Sequence, residues 1–91
     1  MTQEEIINNT IEQVRAGKPL YGSFMHDHGL PTPIVSCSSV RFEQGTFIYK
    51  TWYEEPVVGS PEESARLEHL NESDVREVLL KDDRLRSAIG L

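Results

Sequence analysis

Ile7, Ile11 and Val14 recur at helical spacing, and Gly17 ends the run. Thr2 and Glu5, three residues apart ahead of that stripe, form a capping box, in which each side chain satisfies a backbone N–H that the first turn leaves open. A first helix is therefore predicted over residues 3–16. Lys18-Pro19 opens an extended stretch, Leu20 to Met25, whose apolar members alternate poorly; a strand is predicted there from composition more than from period. The segment from His26 to Pro33 holds two prolines and a glycine and reads as a loop.

The strongest pattern is a hairpin. Residues 34–42 and 47–55 are both rich in β-branched and aromatic side chains, and Gln44-Gly45 supplies a tight turn between them. With a two-residue turn, Phe42 faces Phe47, Val40 faces Tyr49, Cys37 faces Trp52 and Ser36 faces Tyr53. One face then carries Ile34, Val40, Phe42, Phe47, Tyr49 and Tyr53, the expected core. The other carries Val35, Cys37, Arg41, Ile48, Lys50 and Trp52, half apolar and half basic. A slip of one residue would exchange the two roles.

Pro56 ends the hairpin. Residues up to Leu70 read either as a short helix, capped by Ser60 and begun by Pro61, or as a strand over 63–70. The strand is preferred because Leu70 and Val75 form a hydrophobic staple around Asn71, the mark of a fresh helix start. Val75, Val78, Leu79, Leu85 and Ile89 share one stripe at 100° per residue, which predicts a helix over 72–89 packed on the sheet. Asp82 falls inside that stripe. Aspartate caps helices well and is rarely buried without a partner, so a helix break at Asp82 or Asp83 is expected. The whole is read as one small α+β domain, residues 1–91: an antiparallel sheet built on the 34–55 hairpin, packed by an N-terminal and a C-terminal helix.

Charge adds an asymmetry to this picture. Of fifteen acids and nine bases, ten acids and three bases lie in residues 54–83, a net −7 there against +1 elsewhere. The overall −6 opposes nonspecific nucleic-acid binding. One cysteine, Cys37, excludes an internal disulfide framework and fits a reducing compartment, so cytoplasm is the expected location. The acidic N-terminus does not resemble a signal peptide, and no apolar run reaches the ~18 residues of a membrane helix. A chain this short buries only about 60–65% of its unfolded surface, which leaves little core to enclose a deep pocket; monomer and homodimer are both open states for it.

Candidate chemistry is sparse. His26 and His28 share one side of an extended chain, but a catalytic zinc site needs three protein ligands and the spacing fixes two; no metal or cofactor is expected, and a metal-assisted hydrolase is the third reading. Cys37 beside Trp52 is expected to be a half-buried thiol rather than a nucleophile. Ser36, Ser38 and Ser39 lack a nucleophile-elbow context, and no glycine-rich phosphate loop occurs. Two surfaces remain. The first is the acidic C-terminal half, with Glu72, Glu77, Asp82 and Asp83 as residues that would meet a basic protein surface, in the manner of an inhibitor, immunity-type or adaptor protein. The second is the basic-aromatic hairpin face, where Arg41, Lys50 and Trp52, with His26 and His28, would hold a small anionic ligand or nucleotide. The first, non-catalytic reading is preferred.

Overall fold

A computed structural model describes residues 1–26, 34–54 and 65–91. Helix α1 (Gln3–Arg15) leads into strands β1 (Leu20–His26), β2 (Ile34–Glu43), β3 (Thr46–Glu54) and β4 (Arg66–Leu70), followed by helices α2 (Glu72–Lys81) and α3 (Asp83–Ala88). The strands form one antiparallel sheet in the order β1-β2-β3-β4. This is the α+β architecture expected, with the C-terminal helix divided in two. Among the described residues no helix is long and apolar enough to cross a membrane.

Local signals account for most boundaries. The Thr2 hydroxyl accepts from the Glu5 N–H while the Glu5 carboxylate accepts from the Thr2 N–H, completing the capping box. Gln44 and Gly45 both have positive φ, 52° and 77°, as a type I′ turn requires. The hairpin register is the one predicted: Phe42 lies opposite Phe47, Val40 opposite Tyr49, Cys37 opposite Trp52 and Ser36 opposite Tyr53. Residues 66–70 are a strand, and the Asn71 side chain accepts from the Asp74 N–H to start α2. The proposed Ser60–Pro61 helix start falls outside the described residues.

The three helices of the described residues lie on one face of the sheet. Ile7, Ile11 and Val14 from α1, Val75 and Leu79 from α2 and Leu85 from α3 close over Val40 and Phe47, with Phe42, Tyr49 and Leu70 at the margins. Each such aliphatic side chain removed from water contributes about 1.5–3 kcal/mol. Gly22 lets α3 approach: a Cβ there would sit 2.2 Å from the Arg84 carbonyl oxygen. The expected core face does not extend to its far end, however, because Tyr53 is exposed and Ile34 only half-buried. The described helices cover the middle and the turn end of the hairpin and do not reach that far end.

Candidate functional site: an acidic groove beside an aromatic sheet face

Asp82 organises the helix side. The α2 backbone leaves helical geometry there, and the Asp82 carboxylate accepts from the N–H groups of Arg84 and Leu85 to start α3. It is also buried against partners. Arg84 donates from Nε at 3.0 Å and from the second guanidinium nitrogen at 3.1 Å, and the Tyr49 hydroxyl donates from β3. Helix break and buried carboxylate thus coincide in one residue. Burial alone would raise the Asp82 carboxyl, but hydrogen bonds from Arg84 and Tyr49 outweigh it and hold the carboxyl below its ordinary value. Burial first, and then the bond to Asp82, push the Tyr49 phenol up. Arg84 also reaches the Cys37 carbonyl at 3.4 Å, which ties α3 to β2.

A groove opens between β4 and α2 above this cluster. Tyr49, Leu70 and Val78 give it an apolar floor, and Glu68, Asp74 and Glu77 line its walls with Lys81 and Arg84 at one end. Glu77 pairs with Lys81 along the helix. Glu68 and Asp74 make no ion pair among the described residues and are exposed, so the groove presents uncompensated negative charge over apolar surface.

The four acids expected to meet a partner are therefore distributed over four settings. Glu77 is on the groove wall. Asp82 lines the base of the groove with its side chain only 4% exposed, its carboxylate committed to capping α3 and neutralising Arg84. Glu72 lies on the other side of α2, bonded to Arg15 of α1 at 2.5 Å, and that bond lowers its carboxyl. Asp83 is exposed and does not line the groove. Glu68 and Asp74 emerge as the better-placed pair. Strand alternation carries the signal for Glu68, which lies opposite Tyr49 and two residues from Leu70 on the helix side.

Among the described residues the other sheet face carries no helix. Cys37 is fully buried there, a correction to the half-buried thiol expected, because Tyr21 and Trp52 close over it: the Tyr21 hydroxyl donates to Sγ at 3.6 Å, and the two ring centroids are 5.9 Å apart. The Lys50 ammonium sits 4.9 Å from the Trp52 centroid, a cation–π contact. Arg41 pairs with Glu43 at 3.2 Å. His26 does not join this group. By strand alternation it belongs to the helix-bearing face, where its Nε2 lies 2.7 Å from the Ser36 hydroxyl. His28 lies outside the described residues. Among the described residues no three His, Cys, Asp or Glu side chains cluster so as to hold a metal ion.

Neither the protein-family models, nor the curated proteins, nor the solved structures compared with this chain give a match.

Proposed function

We propose that this protein is a non-catalytic binding module, of the inhibitor, immunity-type or adaptor kind, that engages a basic protein surface through the groove between β4 and α2. One observation carries the reading: Glu68 and Asp74, without ion-pair partners among the described residues, flank the apolar floor of Tyr49, Leu70 and Val78. A lysine or arginine side chain needs that combination, an apolar bed for its stem and carboxylates for its head. The clustered charge raises the encounter rate and selects partners of opposite sign, while the floor supplies most of the affinity. The buried Asp82–Arg84–Tyr49 cluster fixes the groove's base, so little ordering remains to be done on binding. A buried, unbridged Cys37 supports a reducing compartment such as the cytoplasm.

The test begins with partners retained by the wild-type chain from its source cell at low salt. Purified, such a partner is titrated against a triple variant, Glu68→Lys, Asp74→Lys and Glu77→Lys. The reading expects a basic partner and a loss of affinity of at least about tenfold, that is 1.4 kcal/mol. Unchanged affinity, or an acidic partner, contradicts it.

A second reading has support in the Lys50–Trp52 contact, which places a cation and an aromatic plane side by side as a small anion or nucleotide would need. It is the weaker reading, because Arg41 is paired with Glu43 and, among the described residues, Lys50 is the one cation left beside the rings. Lys50→Ala abolishes binding under that reading and is nearly silent under the first.

A further inference from the structure

The two edges of the sheet differ in a way the groove does not use. An edge strand exposes a row of unpaired backbone groups, and proteins guard such edges with charges, prolines or bulges. Strand β4 is guarded by Arg66, Glu68 and His69, whereas β1, Leu-Tyr-Gly-Ser-Phe-Met-His, holds no acid, lysine, arginine or proline and pairs with β2 without a bulge. Its outward side chains are large and apolar: Tyr21 is 52% exposed, Phe24 37% and Met25 70%.

The hairpin settles which β1 backbone groups take no part in the sheet among the described residues. Glu43 and Thr46 flank the two-residue turn and so form a hydrogen-bonded pair, and the alternation of antiparallel pairing assigns odd-numbered residues of β2 to β3 and even-numbered ones to β1. Leu20, Gly22, Phe24 and His26 therefore bond to β2. The N–H and C=O groups of Tyr21, Ser23 and Met25 point off the edge.

We propose that β1 pairs antiparallel with β1 of a second copy of this chain about a twofold axis at Ser23, joining two sheets into one of eight strands. The register that overlaps the whole strand sets Ser23 against Ser23 of the second copy and Tyr21 against its Met25, so all the outward groups of these three residues are satisfied. It also sets Gly22 against Phe24 of the second copy on the helix-bearing face. A groove of about 250 Å³ lies at that place, bounded by Gly22, Arg84, Ser87 and Ala88, larger than the ~150 Å³ cavity that holds a benzene ring. It receives the phenyl ring of the second copy, and the twofold axis makes the exchange reciprocal. On the open face, Met25 of the second copy meets the Tyr21 ring, a favourable sulfur–aromatic contact.

Charge argues for a second copy as the occupant, since two chains of net charge −6 meet with least repulsion along a strand that carries none. Area sets the strength. At roughly 200 Å² for a large side chain, the exposed parts of Tyr21, Phe24 and Met25 supply about 600 Å² over two copies, and the strand backbone and groove walls bring the total near the ~1,000 Å² at which biological interfaces begin. The dimer is accordingly concentration-dependent, with a Kd in the micromolar range. The proposal is independent of the acidic groove, which lies across the sheet.

Sedimentation velocity over a concentration series, with site-directed cross-linking, tests it. The wild-type chain should pass from monomer to dimer as its concentration rises through the micromolar range. Ser23→Lys, an exposed change that sets two lysines against each other on the axis, should weaken association about fivefold. Ser23→Cys should give a covalent dimer on mild oxidation with oxidised glutathione, because hydrogen-bonded antiparallel pairs have Cα atoms about 5.5 Å apart, within disulfide range. Buried Cys37 does not compete, and Leu67→Cys on the β4 edge should associate as the wild type does but give no covalent dimer. A chain that stays monomeric at millimolar concentration overturns the proposal, as does association unaffected by Ser23→Lys or cross-linking of Leu67→Cys as efficient as that of Ser23→Cys.

Discussion

Two arginine–carboxylate pairs flank α2, and they differ chiefly in their surroundings. Arg15 and Glu72 join α1 to the start of α2 with side chains 39% and 44% exposed; Arg84 and Asp82 join α2 to α3 with side chains 20% and 4% exposed. The exposed pair is the shorter, 2.5 Å against 3.0 Å, yet it should matter less to stability. Water and salt screen a surface pair, and ordering two long side chains offsets much of the attraction. The buried pair is different in kind. Removing one member strands a charge in low dielectric, and Asp82 also caps α3 and accepts from Tyr49. Its charge is committed to architecture, which leaves the exposed acids of β4 and α2 for a partner.

The largest effect is expected at Asp82. Asp82→Ala removes the cap and leaves Arg84 unpaired, and should cost about 3 kcal/mol in urea unfolding; a loss below about 1 kcal/mol would collapse the distinction between the pairs. Phe47→Ala tests the core that both pairs border. Phe47 is 4% exposed, packs on Phe42 at a centroid distance of 4.8 Å and lies under the Arg15 guanidinium, so a similar loss of about 3 kcal/mol is expected. Gly22→Ala pushes a methyl group into the Arg84 carbonyl and should cost about 1–3 kcal/mol as α3 shifts, with a matching fall in thermal midpoint.

A smaller effect separates the pairs by pH. The Asp82 carboxyl is lowered on folding, so the unfolded chain binds the proton more tightly and the stabilisation is present above the ordinary carboxyl range. It is lost as pH falls from about 4 toward the lowered value. The Tyr49 phenol is raised on folding, so its contribution is present below pH 10 and disappears as pH rises beyond. Tyr49→Phe should cost about 1 kcal/mol at neutral pH and flatten the alkaline limb. Glu72 is lowered too, but 1 M salt should erase its share of the acid limb and leave that of Asp82. Smallest of all, Glu72→Gln should leave the neutral-pH midpoint unchanged within error.

The sequence disclosed the hairpin register because a tight turn and two facing rows of β-branched and aromatic residues admit one alignment. Both long helices were legible from caps and stripe. Strand β1 was faint, and Gly22 explains it: the position that alternation would fill with an apolar side chain is empty so that α3 can approach. Periodicity puts Tyr53 and Ile34 on the core face, because period reveals which face a residue is on but not where the covering helices stop. The double role of Asp82 depends on Tyr49, thirty-three residues away, and no local pattern carries a contact of that range. For the same reason the groove was only half legible. Acid content marked the region, but pairing of β4 with β3 was needed to bring Glu68 beside Tyr49 and opposite α2.

The most direct test of the groove as a partner site is the association rate of the purified partner, followed from about 20 to 500 mM salt, a range over which screening grows steeply. The wild-type rate should fall steeply with salt, and the Glu68→Lys, Asp74→Lys, Glu77→Lys variant should be slow at low salt with a flattened slope, its folded stability nearly unaltered. A variant that keeps the wild-type rate and slope would contradict the account.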